Sequence, residues 1–322
     1  MTREERNKDI RAQISHESNK ENTKKLVKLV IKLLLIFGVL GTIFFTYTTY
    51  VSTTKVVVRE YRITNEKIPT NFNGLKIVQM SDLHYGSTIL NDELVKIINL
   101  INERKPDIVV FTGDLINKDY KLDPKEQEKL IKNFQSIQAT IGKYAIMGNE
   151  DNEKIAPIFN QSDFTILRDE YDLIYNSKDN PILLIGVNSK DKNPDIDKAF
   201  SYFKEPTHLS NIYTVTLIHE PDLADDVNFQ SNLILAGHSH NGNIRIPFAK
   251  KALFKVPGAK KYDQDYYHIN NADLYVSSGL GTKSGIRLFC RPSINFFRLS
   301  NQEEEIISSF FMQKKRTYSS HA

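Results

Sequence analysis

Of the 322 residues in this chain, one alone is a cysteine, Cys290. That excludes an intramolecular disulfide framework and a Cys-rich zinc site, so any metal must be held by His, Asp and Asn. Charge of one sign is nowhere piled up. The net charge is +4 at pH 7 and Lys and Arg are spread along the sequence, so no specific nucleic-acid binding is expected. There is no internal repeat and no low-complexity linker, and the sequence shows no protein partner. With 40% hydrophobic and 25% charged residues, a chain of this length buries a sizeable core.

One long apolar run stands out. Leu33 to Val51 carries no charge, and at about 1.5 Å per residue it spans roughly the hydrocarbon core of a bilayer. Tyr47 and Tyr50 fall where an aromatic belt lies. Lys24, Lys25, Lys28 and Lys32 precede the run and only Lys55 and Arg59 follow nearby, a bias that favours an internal N-terminus. No twin-Arg signal precedes it, and Thr-Thr-Tyr-Val-Ser-Thr-Thr is a poor cleavage site. The expected organisation is a cytoplasmic tail over 1–25, a transmembrane anchor over 26–51 and an extracytoplasmic domain over 52–322. The first 23 residues are polar, mixed in charge and without apolar period. The Lys-, Asn- and Ile-rich composition fits a bacterial origin.

Beyond the anchor, Lys55 to Ile63 reads as a strand and Leu75 to Met80 as another. Asn91 to Arg104 places Leu94, Ile97, Ile98 and Ile101 at helical spacing. Asp123-Pro124 with Glu126 starts a second helix with an N-cap, a first-turn proline and a capping-box acid, and Leu130, Ile131, Phe134 and Ile137 lie on one side. This strand–helix alternation is the signature of βαβ units. Tyr171–Tyr175 and Ile182–Val187 read as a hairpin, and Asp195 to Lys204 as a short helix. From Leu274 onward four segments, including Ile286 to Cys290 and Ile306 to Phe311, look like successive antiparallel strands. A mixed α/β sandwich of two packed sheets with helices outside is the predicted fold.

Apolar runs in this domain end repeatedly in residues that bind metals. Asp82 and His84 follow Leu-Lys-Ile-Val-Gln-Met, and Asp114 follows Ile-Val-Val-Phe-Thr-Gly. Asn149 follows Tyr-Ala-Ile-Met-Gly, His219 ends Tyr-Thr-Val-Thr-Leu-Ile, and His238 and His240 follow Asn-Leu-Ile-Leu-Ala-Gly. A lone Asp-x-His or Gly-Asp is usually a turn or a cap. The repetition reverses that balance and predicts every ligand along one edge of a sheet, with two cations side by side. In extended backbone Asp82 and His84 would point to one face and grip one cation. Asp114 can bridge two, and Gly113 lets the chain turn beside it. Nitrogen and oxygen donors without sulfur suit Mn, Fe, Zn or Co, with Mn favoured, over an all-oxygen Mg or Ca cage. Two divalent cations facing two carboxylates leave a net positive site for a phosphate-containing substrate, and a shared water would be acidified towards hydroxide.

These motifs, from Asp82-x-His84 to Gly237-His238-Ser239-His240, resemble those of the calcineurin-like metallophosphoesterase family over about 56–299. Met-Ser-Asp-Leu-His, Ile-His-Glu-Pro-Asp and Gly-His-Ser-His-Asn-Gly-Asn resemble its membrane-associated branch, which includes UDP-diacylglucosamine pyrophosphatase-like proteins. The resemblance implies a four-layer αββα sandwich and hydrolysis of phosphomonoesters or phosphodiesters. It also implies a dinuclear site in which Asp82, His84, Asp114 and His240 hold one metal and Asp114, Asn149, His219 and His238 the other.

One departure matters. Gly148-Asn149-Glu150-Asp151 carries Glu150 where the family commonly has a histidine that contacts the phosphate. Glu150 is read either as a protonated general acid, its pKa raised by its neighbours, or as a bystander. The rival readings are a soluble-substrate phosphodiesterase or nucleotidase, and a metal-binding scaffold without activity. His16, His208, His268 and His321 are read as surface histidines and Cys290 as a packed thiol. Tyr262, Tyr266 and Tyr267 are left between a substrate groove and a structural role.

Overall fold

A computed structural model describes residues 3–177, 180–208, 211–245 and 255–301. The chain forms two compact units that divide between Thr49 and Tyr50. The first is one helix, α1 (Arg3–Thr46). It runs through the polar tail, which the sequence read without period. No glycine or proline interrupts it before Gly38, Arg, Glu, Lys and Gln are good helix formers, and Lys25 pairs with Glu21 one turn away at 2.8 Å. Its apolar residues are bare: Leu34 is 65% and Phe37 68% exposed. The helical stretch Asn19–Thr54 is long and apolar enough to cross a membrane, with a mean hydropathy of 2.4 in its most apolar window.

The second unit begins with a short helical turn, α2 (Ser52–Thr54), and holds two six-stranded sheets. The first comprises β1 (Val57–Thr64), β2 (Lys76–Met80), β3 (Ile108–Thr112), β4 (Gly142–Ile146), β5 (Phe164–Ile166) and β12 (Ser293–Ser300), in the order β1-β12-β2-β3-β4-β5. The second comprises β6 (Glu170–Ile174), β7 (Ile182–Gly186), β8 (Thr214–Leu217), β9 (Leu233–Ala236), β10 (Tyr266–Ile269) and β11 (Ala272–Val276), in the order β10-β11-β9-β8-β7-β6. Strands β2 to β5 run parallel, as do β7, β8, β9 and β11. Residues 108–111, residues 182–185 and Leu233–Ala236 are continuous apolar runs because both faces are covered, while β2 and β8 also bury Gln79, Thr214 and Thr216.

Three cores account for four layers. Between the sheets lie Ile77, Val110 and Ile146 from one, and Leu184, Val215 and Leu235 from the other. The outer face of the first sheet packs against α3 (Asn91–Asn102), α4 (Pro124–Gln135) and α5 (Ala156–Gln161). Here Phe111, Phe134, Phe159 and Phe164 cluster with ring centroids 5.3 to 6.1 Å apart. The outer face of the second sheet is covered by α6 (Ile196–Ala199), α7 (Ala224–Val227) and neighbouring turns. The αββα sandwich is as predicted.

Four local expectations change. Asp123 does cap α4, accepting from the amides of Lys125 and Glu126 at 2.8 and 2.9 Å, but the Glu126 carboxylate takes the Tyr120 hydroxyl instead of closing a capping box. Asp195 to Lys204 is two short turns instead of one helix. The closing segments are not an antiparallel series: β11 runs parallel to β9 in the second sheet, while β12 lies between β1 and β2 in the first. Ile286 to Cys290 forms no strand, because the buried Arg287 guanidinium gathers the carbonyls of Ser278, Gly279 and Gly281 and folds the segment into a loop. Ile306 to Phe311 and His321 lie outside the described residues.

Phe134, fully buried at the centre of its aromatic cluster, sets the stability of the helical layer. Phe134→Ala is expected to cost about 3–5 kcal/mol. Chemical denaturation followed by circular dichroism measures this as a lowered midpoint with unchanged slope.

Candidate metal centre

Parallel strands end in register here. Met80 stands opposite Phe111, Thr112 opposite Ile146 and Leu217 opposite Leu235, so the loops after β2, β3, β4, β8 and β9 open at one end of the sandwich. Ligand sites gather at such carboxyl ends in α/β sheets. These loops carry all seven of the ligand residues predicted from sequence, and both sheets contribute. The single sheet edge expected from sequence is therefore corrected: Asp82, His84, Asp114 and Asn149 come from the first sheet, His219, His238 and His240 from the second.

The backbone turns hard to make this meeting possible. Asp82, His84, Asp114, His238 and His240 all have positive φ, between 41° and 63°. The extended Asp82-x-His84 geometry is thus also corrected. Left-handed backbone is adopted most readily by Asn, Asp and His among residues with a side chain, at a cost of about 1–3 kcal/mol each. The turn is held by Asp82 N–H donating to Gly113 O at 2.9 Å and His84 N–H donating to Asp114 O at 3.1 Å. Gly113, at φ 95°, packs so tightly that an added Cβ would lie 2.6 Å from Gly148 Cα.

Acceptor atoms converge at the centre. His219 Nδ1 lies 2.7 Å from the Thr112 carbonyl, which can only accept, so that nitrogen carries the proton. The other ring nitrogen, Nε2, faces Asn149 Oδ1, 3.1 Å away, and Asp114 Oδ2, 3.4 Å away. His238 Nε2 likewise donates to the Pro257 carbonyl at 2.7 Å. His84 Nε2 and His240 Nε2 face each other at 3.0 Å, with Asp82 Oδ1 3.5 Å from the latter and Asp114 Oδ2 3.8 Å from the former. Asp82, His84 and His240 form one group able to hold an ion, and Asp114, His219 and His238 another. The donor set fits divalent cations with mixed nitrogen and oxygen preference.

Ionisation reports the same demand. Burial works against a charged His219, but Asp114 and then Asp82 outweigh it and lift its pKa well above the ordinary value. Burial would also raise Asp114, yet the charge and hydrogen bond of His219 hold its carboxyl well below the usual range. His240 is driven the other way, by burial and by the neighbouring charge of His84.

Beside these groups, a calcineurin-like phosphoesterase family model matches residues 75–279. The chain belongs to the calcineurin-like phosphoesterase family. It is a hydrolase. It is 30% identical over 263 residues to the uncharacterized metallophosphoesterase YkuE of Bacillus subtilis, covering 79% of this chain and 89% of that one. It is 24% identical over 234 residues to the phosphodiesterase YaeI of Escherichia coli, covering 71% and 83%. A transmembrane protein with a metallophosphoesterase domain from Danio rerio is 25% identical over 197 residues, 56% of this chain and 43% of that protein.

Glu150 stands on the wall of this phosphoesterase site. Burial favours the neutral form, but hydrogen bonding with His84 and Lys283 prevails and lowers its pKa. The Lys283 ammonium pairs with Oε1, and Oε2 lies 3.5 Å from His84 Nδ1. The tyrosines take structural roles: Tyr262 donates to Asp225, Tyr266 to Asp273, and the Tyr267 hydroxyl receives the amides of Asp263 and Gln264. His16 and His268 are exposed, and His208 stacks on Tyr202 at 4.4 Å. Cys290 is a buried thiol, as expected, and donates to the His240 carbonyl at 3.2 Å.

Three residues that hold the phosphoesterase site together were missed from sequence. Asp151 accepts the amides of Asp114, Gly148 and Leu115 at 2.8 to 2.9 Å and so ties the β3 and β4 loops together. Burial and the nearby Asp114 charge push its pKa up to about 6. Lys192 donates to the carbonyls of Gly148 and Asp151, both at 2.9 Å. Arg287, fully buried, places Nη2 3.3 Å from His240 Nδ1. The only sequence signal was Asp151's place beside Asn149; the other two lie far along the chain. Replacing Asp151 with Asn turns an amide donor towards backbone donors. The expected loss is at least about 1.5–3 kcal/mol, read as a lowered thermal midpoint together with reduced metal content.

Proposed function

We propose that this phosphoesterase binds two divalent cations and hydrolyses phosphodiester or pyrophosphate bonds of lipid-linked or envelope substrates from a membrane-anchored position. Asp82, His84, Asp114 and His240 would hold one cation, and Asp114, Asn149, His219 and His238 the other, with manganese the first choice among Mn, Fe, Zn and Co. The observation that carries this reading is the convergence of His219 Nε2, Asn149 Oδ1 and Asp114 Oδ2 on one point, with His219 Nδ1 turned away to the Thr112 carbonyl. Asp114 is suited to the shared position because its Oδ2 faces both His219 and His84 while its Oδ1 accepts the Glu150 amide at 2.9 Å. Bound cations would supply Lewis acidity, acidifying water and withdrawing charge from the phosphoryl group.

The protein's own residues shape what enters. The cavity over the site measures about 710 Å³ and is lined by Lys190, Lys260 and Lys283 as well as the apolar Val256 and Pro257. These three ammonium groups offer an anion donors among the carboxylates of Asp191, Glu220 and Asp222 that share the lining, and the volume accommodates more than a bare phosphate. The complete set of converging ligands favours hydrolysis over a non-catalytic scaffold. The apolar stretch Asn19–Thr54 supports anchoring, with the four lysines before its core favouring an internal N-terminus. An anchor raises the effective concentration of the site towards lipid head groups. A phosphodiesterase of soluble substrates is the second reading, favoured by the openness of the same cavity to water-soluble anions.

Asp114→Asn is expected to lower bound metal, measured by mass spectrometry, and to reduce hydrolysis of bis-p-nitrophenyl phosphate by at least about 100-fold. Unchanged metal content would overturn the shared-ligand role. Cell fractionation should place the full chain in membranes and a chain lacking residues 1–55 in the soluble fraction. Hydrolysis of phospholipid vesicles no faster than of soluble diesters would favour the second reading.

A further inference from the structure

The loop after β11 brings one more charge to the centre. Its backbone is pinned against the Asp82 turn: Leu280 N–H donates to Ser81 O at 2.9 Å and Gly281 N–H to Asp82 O at 2.8 Å. The next residue, Thr282, donates its amide to Thr88 Oγ1 at 3.1 Å and accepts Ser87 Oγ–H at 2.6 Å. Lys283 therefore leaves the backbone at a fixed point on the cavity wall. Its ammonium meets Glu150 Oε1, yet the two partners are unequally placed: the lysine side chain is 56% exposed and the glutamate 6%. The carboxylate is held from below, its other oxygen facing His84 and its own amide bound to Asp114. A buried carboxylate on the wall of an anion-binding cavity repels its substrate unless neutralised. Lys283 neutralises it from the solvent side and has three donors, of which Glu150 uses one. Lys283 lines the same cavity as His84, Asp114, Asn149, His238 and His240.

We propose that Lys283 is a catalytic residue that hydrogen-bonds the phosphoryl oxygens of the substrate, and that Glu150 is the positioning residue that aims it. The inference rests on the phosphoesterase reading of the site. An ammonium on a pinned loop binds phosphate as a point charge, and a fixed counter-charge beneath it limits the orientations that its flexible stem would otherwise sample. Glu150 thus acts on the substrate through Lys283.

The test uses the full-length, manganese-loaded protein with inorganic phosphate as the binding probe. Lys283→Met, Lys283→Arg, Glu150→Gln and the Glu150→Gln/Lys283→Met double variant are compared for metal content, phosphate affinity by calorimetry, and kcat and KM on aryl phosphodiesters. Lys283→Met is expected to keep its full metal content while phosphate affinity and kcat/KM each fall about 10-fold or more. Lys283→Arg should recover part of both. Glu150→Gln should weaken phosphate binding when Lys283 is present and have little effect when it is absent, a coupling that independent structural roles would not produce. Phosphate affinity unchanged in Lys283→Met, with metal retained, overturns the proposal and leaves the phosphoesterase reading standing. A wild-type protein that takes up no metal overturns both.

Discussion

Imidazole nitrogens, carboxylate oxygens and an amide oxygen packed within hydrogen-bonding reach of one another are the constraint on which this molecule depends. Thr112 O and Pro257 O hold protons on His219 Nδ1 and His238 Nε2, and the inner nitrogen of His219 faces carboxylate and amide oxygens. Such an arrangement is unfavourable in itself. The rest of the sandwich holds it in place, with two sheets whose strands end level and a core of Ile, Val, Leu and Phe between and around them. The lifted pKa of His219 and the depressed pKa of Asp114 are the protein's own response to that crowding.

Holding the ligands requires backbone that most sequences avoid. Five of them sit in left-handed conformation, and the loops that carry them are laced by amides and carbonyls of neighbouring ligands. Asp151 under the β3 and β4 loops, Lys192 beside them and Arg287 behind His240 supply the fixed charges that keep these turns from relaxing. A site of this kind is as much a property of its supporting shell as of its ligands.

Much of this was legible in the residues. An apolar run that stops at Asp, Asn or His announces a strand and the group beyond it, so Asp82, His84, Asp114, Asn149, His219, His238 and His240 could be singled out from the residues alone, and the fold brings them to one end of the sandwich. The helical spacing of Leu94, Ile97, Ile98 and Ile101 and the Asp123 cap placed α3 and α4. Pairing was less legible. Local pattern cannot say that β11 joins β9 while β12 crosses to lie between β1 and β2, because both choices bury the same side chains. Ile286 to Cys290 looked like a strand because its alternation is that of a strand; a buried guanidinium with no strand partner decided otherwise.

Glu150 marks the boundary most clearly. Sequence identified the position and the carboxylate, and from those alone a protonated acid was a reasonable expectation. Its charge is set by an ammonium 133 positions away and by an imidazole across the cavity, both delivered by the packing of loops from opposite sheets. Residue types and their order along the chain determined which chemistry this protein carries. Which atoms meet, and in what state of ionisation, was decided by tertiary structure, because electrostatic interaction depends on distance and burial, neither of which is written in local sequence.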